Sequence, residues 1–309
     1  MSSENKMGVM PINKLILSMS IPMMLSMLIQ ALYNIVDSYF VGQYSNSGLT
    51  ALSVIFPVQL IITAIAVGTG VGVNTYMARM YAFGKKRAAD CTAGTGMVLA
   101  VISWAVFAAA ALLLMEPYVR TSATSSGAVA DAVLYGNIVC VGSLGIFLES
   151  IWTKVHQAGG NMRLPMLAQI AGALTNIVLD PILIFGLGPV PRMGIAGAAI
   201  ATVVGQCVAA VITGISGFRR PPKPVVSGFR KIPGWKKLGY YAKRIYRLGY
   251  PSIFMQMLYT VYIMALNMIL AGFSDDAVTV LGLYYKLQSF FFIPLNGLQT
   301  CIVPILSYN

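Results

Sequence analysis

The sequence predicts an all-α, polytopic membrane protein, with a six-helix first lobe followed by the first two helices of a second lobe that repeats it in parallel. Of the 309 residues, 57% are hydrophobic and 10% are charged, a composition unlike that of a soluble domain. Apolar runs long enough to cross a bilayer recur along the whole chain. The pattern of the first run returns later, around Pro251. Together these observations exclude an ordinary soluble fold.

Eight transmembrane spans are predicted, each bounded by glycine, proline or clustered charges. Each is long enough to cross ~30 Å of hydrocarbon at a rise of ~1.5 Å per residue. In order, the spans cover residues 17–41, 50–78, 91–115, 132–155, 164–187, 194–217, 248–272 and 278–305. The first ends at Gly42, the second before "GKKR", the third before Arg120, the fourth before "QAGGNMR" and the fifth at "FGLG". The sixth begins near Gly194, the seventh ends at Gly272, and the eighth ends at "VPILSYN".

The 21 basic residues are distributed unevenly between the two sides of the membrane. Most of them precede the first span, follow the second and fourth spans, or fill residues 218–247. The positive-inside rule therefore places the N-terminus and that link in the cytoplasm. The link would divide the chain into an N-lobe of residues 1–217 and a C-lobe of residues 248–309. We interpret it as an orientation signal with a surface helix, and a contact with anionic lipids or a regulatory site is the alternative. The net charge of +12 thus indicates membrane lipids as partners and no nucleic acid.

An internal repeat relates the seventh and eighth spans to the first and second. Pro22 corresponds to Pro251, and Gly42 corresponds to Gly272. Six spans lie in the first copy, so both copies enter the membrane in the same direction, as in secondary transporters with parallel repeats. The second copy contains two of its six expected helices. We therefore expect either a fragment of a twelve-helix protein or a chain whose missing helices come from a partner, and the oligomeric state stays open.

Buried polar residues from three spans fall at one depth. Asp37 lies about 8 Å below the end of the first span, at ~1.5 Å per residue, and Asp180 lies at nearly the same depth in the fifth. Asn176 shares a helix face with Asp180 through its i, i+4 spacing, and Thr202 reaches this level from the sixth span. Two aspartates at one depth would repel each other unless one is protonated or a cation lies between them. The oxygens of these four residues suit a proton or a Na⁺ ion, which predicts an ion-coupling site.

Structural alternatives accompany these residues. "DP" at Asp180 is also typical of a helix break in which the carboxylate caps freed amides. Glu149 would pair with Lys154 or Arg163, or else serve a functional site. His156 is interpreted as a loop residue. Pro22 is predicted to bend the first helix, as a gate requires.

A second group of residues is predicted to line a substrate cavity. Methionine and aromatic side chains form adaptable apolar surfaces, although ordinary packing explains any single one of them. Lys286 approaches this cavity or extends to an interface. The candidates are Gln30, Tyr33, Asn34, Met27, Gln256 and Lys286. No catalytic motif or nucleotide-binding loop is present, so we expect no enzyme activity and no cofactor, with energy supplied by an ion gradient.

Several segments resemble those of the multidrug and toxic compound extrusion (MATE) family. They are "SIPMMLSMLIQALYNIVDSYFVG", "ARMYAFGKKR", "NIVLDPILIFGLG" with "MGIAGAAIAT", and "LGYPSIFMQ", and they span nearly the whole chain in order. The resemblance implies twelve helices in two lobes of a plasma-membrane protein that exports organic cations or drugs in exchange for H⁺ or Na⁺. It places Asp37, Asn176, Asp180 and Thr202 in the ion site and Pro22 at the bend of the first helix. By this pattern the chain lacks the last four helices.

The predicted function is cation-coupled multidrug efflux. In this interpretation, an ion bound between Asp37 and Asp180 removes their repulsion, the first helix bends at Pro22, and the cavity shrinks and releases the drug. A flippase for lipid-linked oligosaccharides is one alternative, but it would need a cationic cavity, whereas this one is predicted to be acidic. A non-transporting membrane subunit is the other.

Overall fold

A computed structural model describes residues 8, 10–123, 125–187, 190–219 and 235–308. The described chain is helical throughout its regular structure. In chain order, the helices are α1 (Ile12–Tyr44), α2 (Asn46–Ala82), α3 (Lys86–Ser122), α4 (Ser126–Gly142), α5 (Leu144–Ala158), α6 (Arg163–Phe185), α7 (Ile195–Arg219), α8 (Trp235–Ala271), α9 (Asp275–Phe291) and α10 (Ile293–Tyr308). The predicted all-α fold is confirmed.

Several helices begin before the predicted spans because serine side chains cap them. The Oγ of Ser45 accepts a hydrogen bond from the amide of Gly48, so α2 begins at Asn46 instead of residue 50. Ser125 caps α4 in the same way, and Ser274 caps α9. At the other end of a span, Gly186 adopts a left-handed conformation with φ of 75° and ends α6. Local capping, not hydrophobicity, therefore sets these boundaries.

Two predicted spans are pairs of helices. The fourth span divides into α4 and α5, which are bent by 43° around Ser143. The eighth divides at Phe292 into α9 and α10, which have 17 and 16 residues. Each is shorter than the ~20 residues that a straight crossing needs. In these two places each predicted span is therefore divided into two helices.

The described residues contain six helices long and apolar enough to cross a membrane, or seven if α4 and α5 form one span. These observations establish a multi-pass membrane protein. The helix α8 begins at Trp235 and continues without a break into the predicted seventh span. The last part of the basic link is therefore helical, while residues 220–234 lie outside the described chain. The division into lobes and the cytoplasmic N-terminus stay predictions.

Close helix packing relies on glycine at two crossings. α2 is the central helix and packs against α3, α4, α5 and α8. Its Gly68 and Gly72 meet Gly249 of α8 so closely that a Cβ atom on any of the three would overlap atoms of the opposite helix. At the second crossing, Gly172 of α6 faces Gly205 of α7. The second contact lies one helical turn from Asn176 and so holds the polar cluster together.

Candidate functional site

A cavity of about 290 Å³ lies between helices of the first two thirds of the chain. Helices α1, α2, α4, α5, α6 and α7 contribute its walls, and α3 does not. Apolar and aromatic side chains such as Phe56 alternate with amides and hydroxyls along these walls. Of the lining residues in the described chain, the charged ones are Asp37 and Glu149, and both are acidic. The described part of the cavity therefore presents acidic groups to a ligand.

The four residues predicted to form an ion site lie together at one end of this cavity. Asp37, Asn176, Asp180 and Thr202 are at most 6% exposed. With its amide nitrogen turned toward Asp180, Asn176 donates a hydrogen bond to Asp180 Oδ2 at 3.1 Å. In the same orientation its amide oxygen accepts a hydrogen bond from the backbone nitrogen of Thr202 at 3.0 Å. Asn176 thus joins α6 to α7.

The two aspartates of this cluster have different positions relative to the cavity. Asp37, Asn176 and Thr202 line it, whereas Asp180 lies behind the wall and is fully buried. The charges of Asp37 and Asp180 interact with each other. The Oδ1 atom of Asp180 has no hydrogen-bond partner among the described residues. A buried carboxylate oxygen without a donor favours a proton or cation beside it.

Two tyrosines surround Asp37. Tyr33 precedes Asp37 by one helical turn on α1, and Tyr135 approaches from α4. Both hydroxyls lie within electrostatic range of the Asp37 carboxylate. Tyr135 also accepts a hydrogen bond from the Nε2 of Gln59 at 3.2 Å. The wall around Asp37 is therefore aromatic as well as acidic, which suits an organic cation.

The local sequence of α6 produces this arrangement. Asn176 and Asp180 are four residues apart in an unbroken helix, so both lie on one face of α6. Pro181 lies inside α6, which continues to Phe185. The alternative in which the chain breaks at Asp180 and Pro181 is therefore wrong. Proline is tolerated inside such a helix because neighbouring groups in a bundle can satisfy the backbone carbonyl that it leaves without a donor.

The other predicted site residues differ in their position relative to the cavity. Gln30, Tyr33 and Asn34 line the cavity, and their role in binding a substrate stays a prediction. Met27 does not, because it lies one turn before Gln30 on α1, beyond the end of the described cavity. Gln256 is also outside the lining, because α8 packs mainly on α2 and does not form a wall.

Two of the predicted residues keep an open role. Pro22 lies within α1, which is helical on both sides of it, and its role in bending stays a prediction. The side chain of Lys286 lies outside the described residues.

Sequence reasoning misassigned two titratable residues. Glu149 lines the cavity and accepts hydrogen bonds from Thr153 at 2.7 Å and from Gln169 at 3.2 Å, without the expected ion pair. His156 is not in a loop. It is buried in α5, and its Nε2 lies 3.1 Å from the carbonyl oxygen of Thr213 on α7. The contacts with Gln169 and Thr213 join residues distant in sequence, so no local pattern indicates them.

A multi-pass helix bundle that encloses an acidic cavity with paired buried aspartates has the architecture of the secondary transporters. The chain belongs to the MatE family, whose family model matches residues 22–182 and 251–309. Proteins of this family are transporters and not enzymes.

Characterised relatives cover nearly all of this chain. A FAD transporter of Shewanella oneidensis is 28% identical over 305 residues, and the multidrug export protein MepA of Staphylococcus aureus is 26% identical over 309 residues. Each alignment covers 97% of this chain and 65% of the relative. A solved MOP superfamily transporter from Pyrococcus furiosus, described as having reverse polarity of its binding pocket, matches with a TM-score of 0.86 and 27% identity over 98% of this chain and 66% of its own. The chain thus spans about two thirds of their length.

Proposed function

We propose that this chain forms the ion-coupled lobe of an efflux antiporter that exports organic cations in exchange for H⁺ or Na⁺. The observation that carries the proposal is the position of Asp37, which belongs both to the buried aspartate cluster and to the cavity wall. An ion that neutralises the cluster and a cationic ligand in the cavity compete for the same carboxylate. Competition of this kind couples the exit of one to the entry of the other.

The charge of the cavity supports a cationic ligand. Its charged lining residues in the described chain are Asp37 and Glu149, and a buried carboxylate disfavours an anion strongly in a low-dielectric site. FAD, which the Shewanella oneidensis relative transports, carries phosphates, and so does a lipid-linked oligosaccharide. A phosphate would face two carboxylates here. The polarity of the lining therefore favours drugs of the opposite charge.

The cluster has oxygen ligands that suit a monovalent cation. Asp180 Oδ1, the Asp37 carboxylate and the Thr202 hydroxyl provide oxygen atoms from three helices. The amide of Asn176 holds Asp180 in place, because its nitrogen faces that carboxylate and its oxygen faces Thr202. A proton needs one of these oxygens, and Na⁺ would need several. Either ion relieves the repulsion between the two aspartates.

The exchange of the coupling ion for the organic cation requires a conformational change, and α1 contains the residues that would allow it. Asp37 lies toward the end of α1, and Pro22 lies in its first half. Proline removes the hydrogen bond to the carbonyl of Ser18, which weakens the helix there. When an ion joins Asp37 to the cluster on α6 and α7, bending at Pro22 lets the rest of α1 move into the cavity. The ligand is then expelled.

The test is gradient-driven movement of a fluorescent organic cation from vesicles that contain the 309-residue chain. Asp37→Asn and Asp180→Asn should each abolish it, because an amide neither takes up a proton nor carries the negative charge that a coupling cation neutralises. Asp131→Asn is the matched control, since Asp131 lies outside the cavity lining and an asparagine oxygen there still accepts the hydrogen bond from Ser47. Undiminished efflux from both cluster variants would refute the assignment. Dye binding without flux in the unmodified chain would instead support a non-transporting subunit.

Separate pH and Na⁺ gradients across the vesicles identify the coupling ion. With a proton as the coupling ion, a pH gradient alone drives dye efflux at constant Na⁺. With Na⁺ as the coupling ion, a Na⁺ gradient alone drives dye efflux at constant pH.

A further inference from the structure

The cavity has a second acidic residue, at the end opposite Asp37. Glu149 of α5 accepts hydrogen bonds from Thr153 Oγ1 and Gln169 Nε2, and both end on its Oε1. Its Oε2 accepts none from the described residues. Gln206 of α7 also lines the cavity, and its buried Oε1 has no hydrogen-bond partner among the described residues. Two acceptor oxygens without donors among the described residues therefore belong to the cavity wall, one on α5 and one on α7 a helical turn from Thr202.

The separation of the two ends follows from the helices that carry them. Gln169, which contacts Glu149, and Asn176, which contacts Asp180, lie on α6. They are two helical turns apart, which is about 10 Å. On α1, Gln30 and Asp37 line the cavity with the same separation. Along these two helices the residues at the two ends of the cavity are therefore about 10 Å apart.

The nearest basic residue does not neutralise Glu149 by direct pairing. Lys154 interacts electrostatically with Glu149, but its Nζ donates a hydrogen bond to Gln157 Oε1 at 3.0 Å. The Lys154 side chain packs against α2 at Gly70, away from the cavity, and is not part of the lining. Glu149 thus keeps a carboxylate for a ligand in the cavity.

We propose that the Glu149 end is a second cation-binding subsite, and that the cavity selects elongated dications with two cationic groups about 10 Å apart. The proposal rests on the proposed function, because it takes the same cavity as the ligand site. One cationic group would lie beside Asp37 with Tyr33 and Tyr135, and the other beside Glu149. The apolar wall between them, which includes Leu60 and Phe56, contacts the linker.

Equilibrium binding to the purified chain in lipid nanodiscs tests this proposal without requiring transport. The probes are bis-quaternary alkanes from hexamethonium to decamethonium and, for each, the monoquaternary alkylammonium of the same chain length. The tightest-binding dication should bind about tenfold more strongly than its monocationic partner, a difference of ~1.4 kcal/mol. Glu149→Gln should remove that preference and leave the monocation within about twofold, because a single charged contact is lost. The amide oxygen of the substituted side chain still accepts from Thr153 and Gln169, so the fold is retained.

Glu116→Gln is the matched control, since Glu116 is an exposed carboxylate on α3 outside the cavity. It should leave both affinities unchanged. Equal binding of dications and monocations that is insensitive to Glu149→Gln would overturn the second subsite and leave the proposed function standing. If the unmodified chain binds neither kind of cation, the proposed function fails and the subsite fails with it.

Discussion

Replacing Gly205 with alanine should separate α6 from α7 at the polar cluster. A Cβ atom on Gly205 would lie 2.7 Å from the carbonyl oxygen of Gly172 and 3.3 Å from the Cβ of Asn176. Real Cβ atoms essentially never approach another atom closer than 3.0 Å, and the first of these contacts is with rigid backbone. The helices must therefore move apart. Overpacking of this kind typically costs about 1–3 kcal/mol.

The same movement should weaken the cluster. The hydrogen bond between Asn176 and the Thr202 backbone is 3.0 Å long, and separation of α6 from α7 lengthens it. Both the midpoint temperature of unfolding in nanodiscs and the rate of gradient-driven dye efflux should then decrease. Gly172→Ala should have the same effect, because its Cβ would lie 2.6 Å from the carbonyl oxygen of Gly205.

Gly239→Ala provides the control for this pair. Gly239 lies in α8 with no atom within 4 Å of the position of its Cβ. Alanine there should leave stability unchanged or raise it by up to about 1 kcal/mol, because alanine favours the helix. If Gly205→Ala unfolds at the same temperature as Gly239→Ala and exports dye equally well, the close crossing does not hold the cluster together, and the reasoning fails.

Three further predictions concern single contacts. Trp104→Phe removes the hydrogen bond that Nε1 donates to the Val141 carbonyl at 2.9 Å and should lower the free energy of unfolding by about 1 kcal/mol; an unchanged urea midpoint would contradict this. Pro22→Ala restores a backbone donor inside α1 and should stabilise that helix while abolishing dye efflux but not dye binding, as compared by flux and equilibrium binding in the same vesicles; normal efflux would exclude bending at this residue. Glu116→Gln breaks the exposed ion pair with Arg120 and should cost no more than about 0.5 kcal/mol in thermal unfolding, so a larger loss would show a role beyond this pair.

The sequence predicts the aspartate cluster because helical geometry alone aligns its members. Asn176 and Asp180 share a face at their spacing, and counting from span ends brings Asp37 and Thr202 to the same depth. Such reasoning needs no knowledge of how the helices pack. The cluster is therefore the part of the site that sequence predicts best, although its role in coupling stays a prediction.

The sequence gives only weak signals for the break between α4 and α5 and for the break between α9 and α10. Gly142 and Ser143 form a glycine–serine pair, a known site of helix kinks, and Pro294 stands in the first turn of α10. Both signals compete with continuous hydrophobicity, which predicts a single span. Whether a helix breaks at such a position depends on the neighbours that satisfy its backbone, and a sequence does not show these neighbours.

Contacts between distant helices escape sequence analysis altogether. Glu149 meets Gln169 across the bundle, and its assignment to an ion pair with Lys154 fails because the lysine turns to Gln157. His156 packs on α7 for the same kind of reason. Which of these residues meet depends on where the helices cross. The crossings are set by close glycine contacts, and the sequence of one helix does not show where along it such a contact falls.

At the kink around Ser143, two backbone carbonyl groups accept hydrogen bonds from side chains. The Ser143 hydroxyl donates a hydrogen bond to the Cys140 carbonyl at 2.7 Å, and Trp104 of α3 donates one to the Val141 carbonyl. Tyr135 lies above this joint and Glu149 below it, both on the cavity wall. The bend therefore leaves these two carbonyl groups hydrogen-bonded inside the protein, so both half-helices present side chains to the chamber without exposing the freed backbone to lipid.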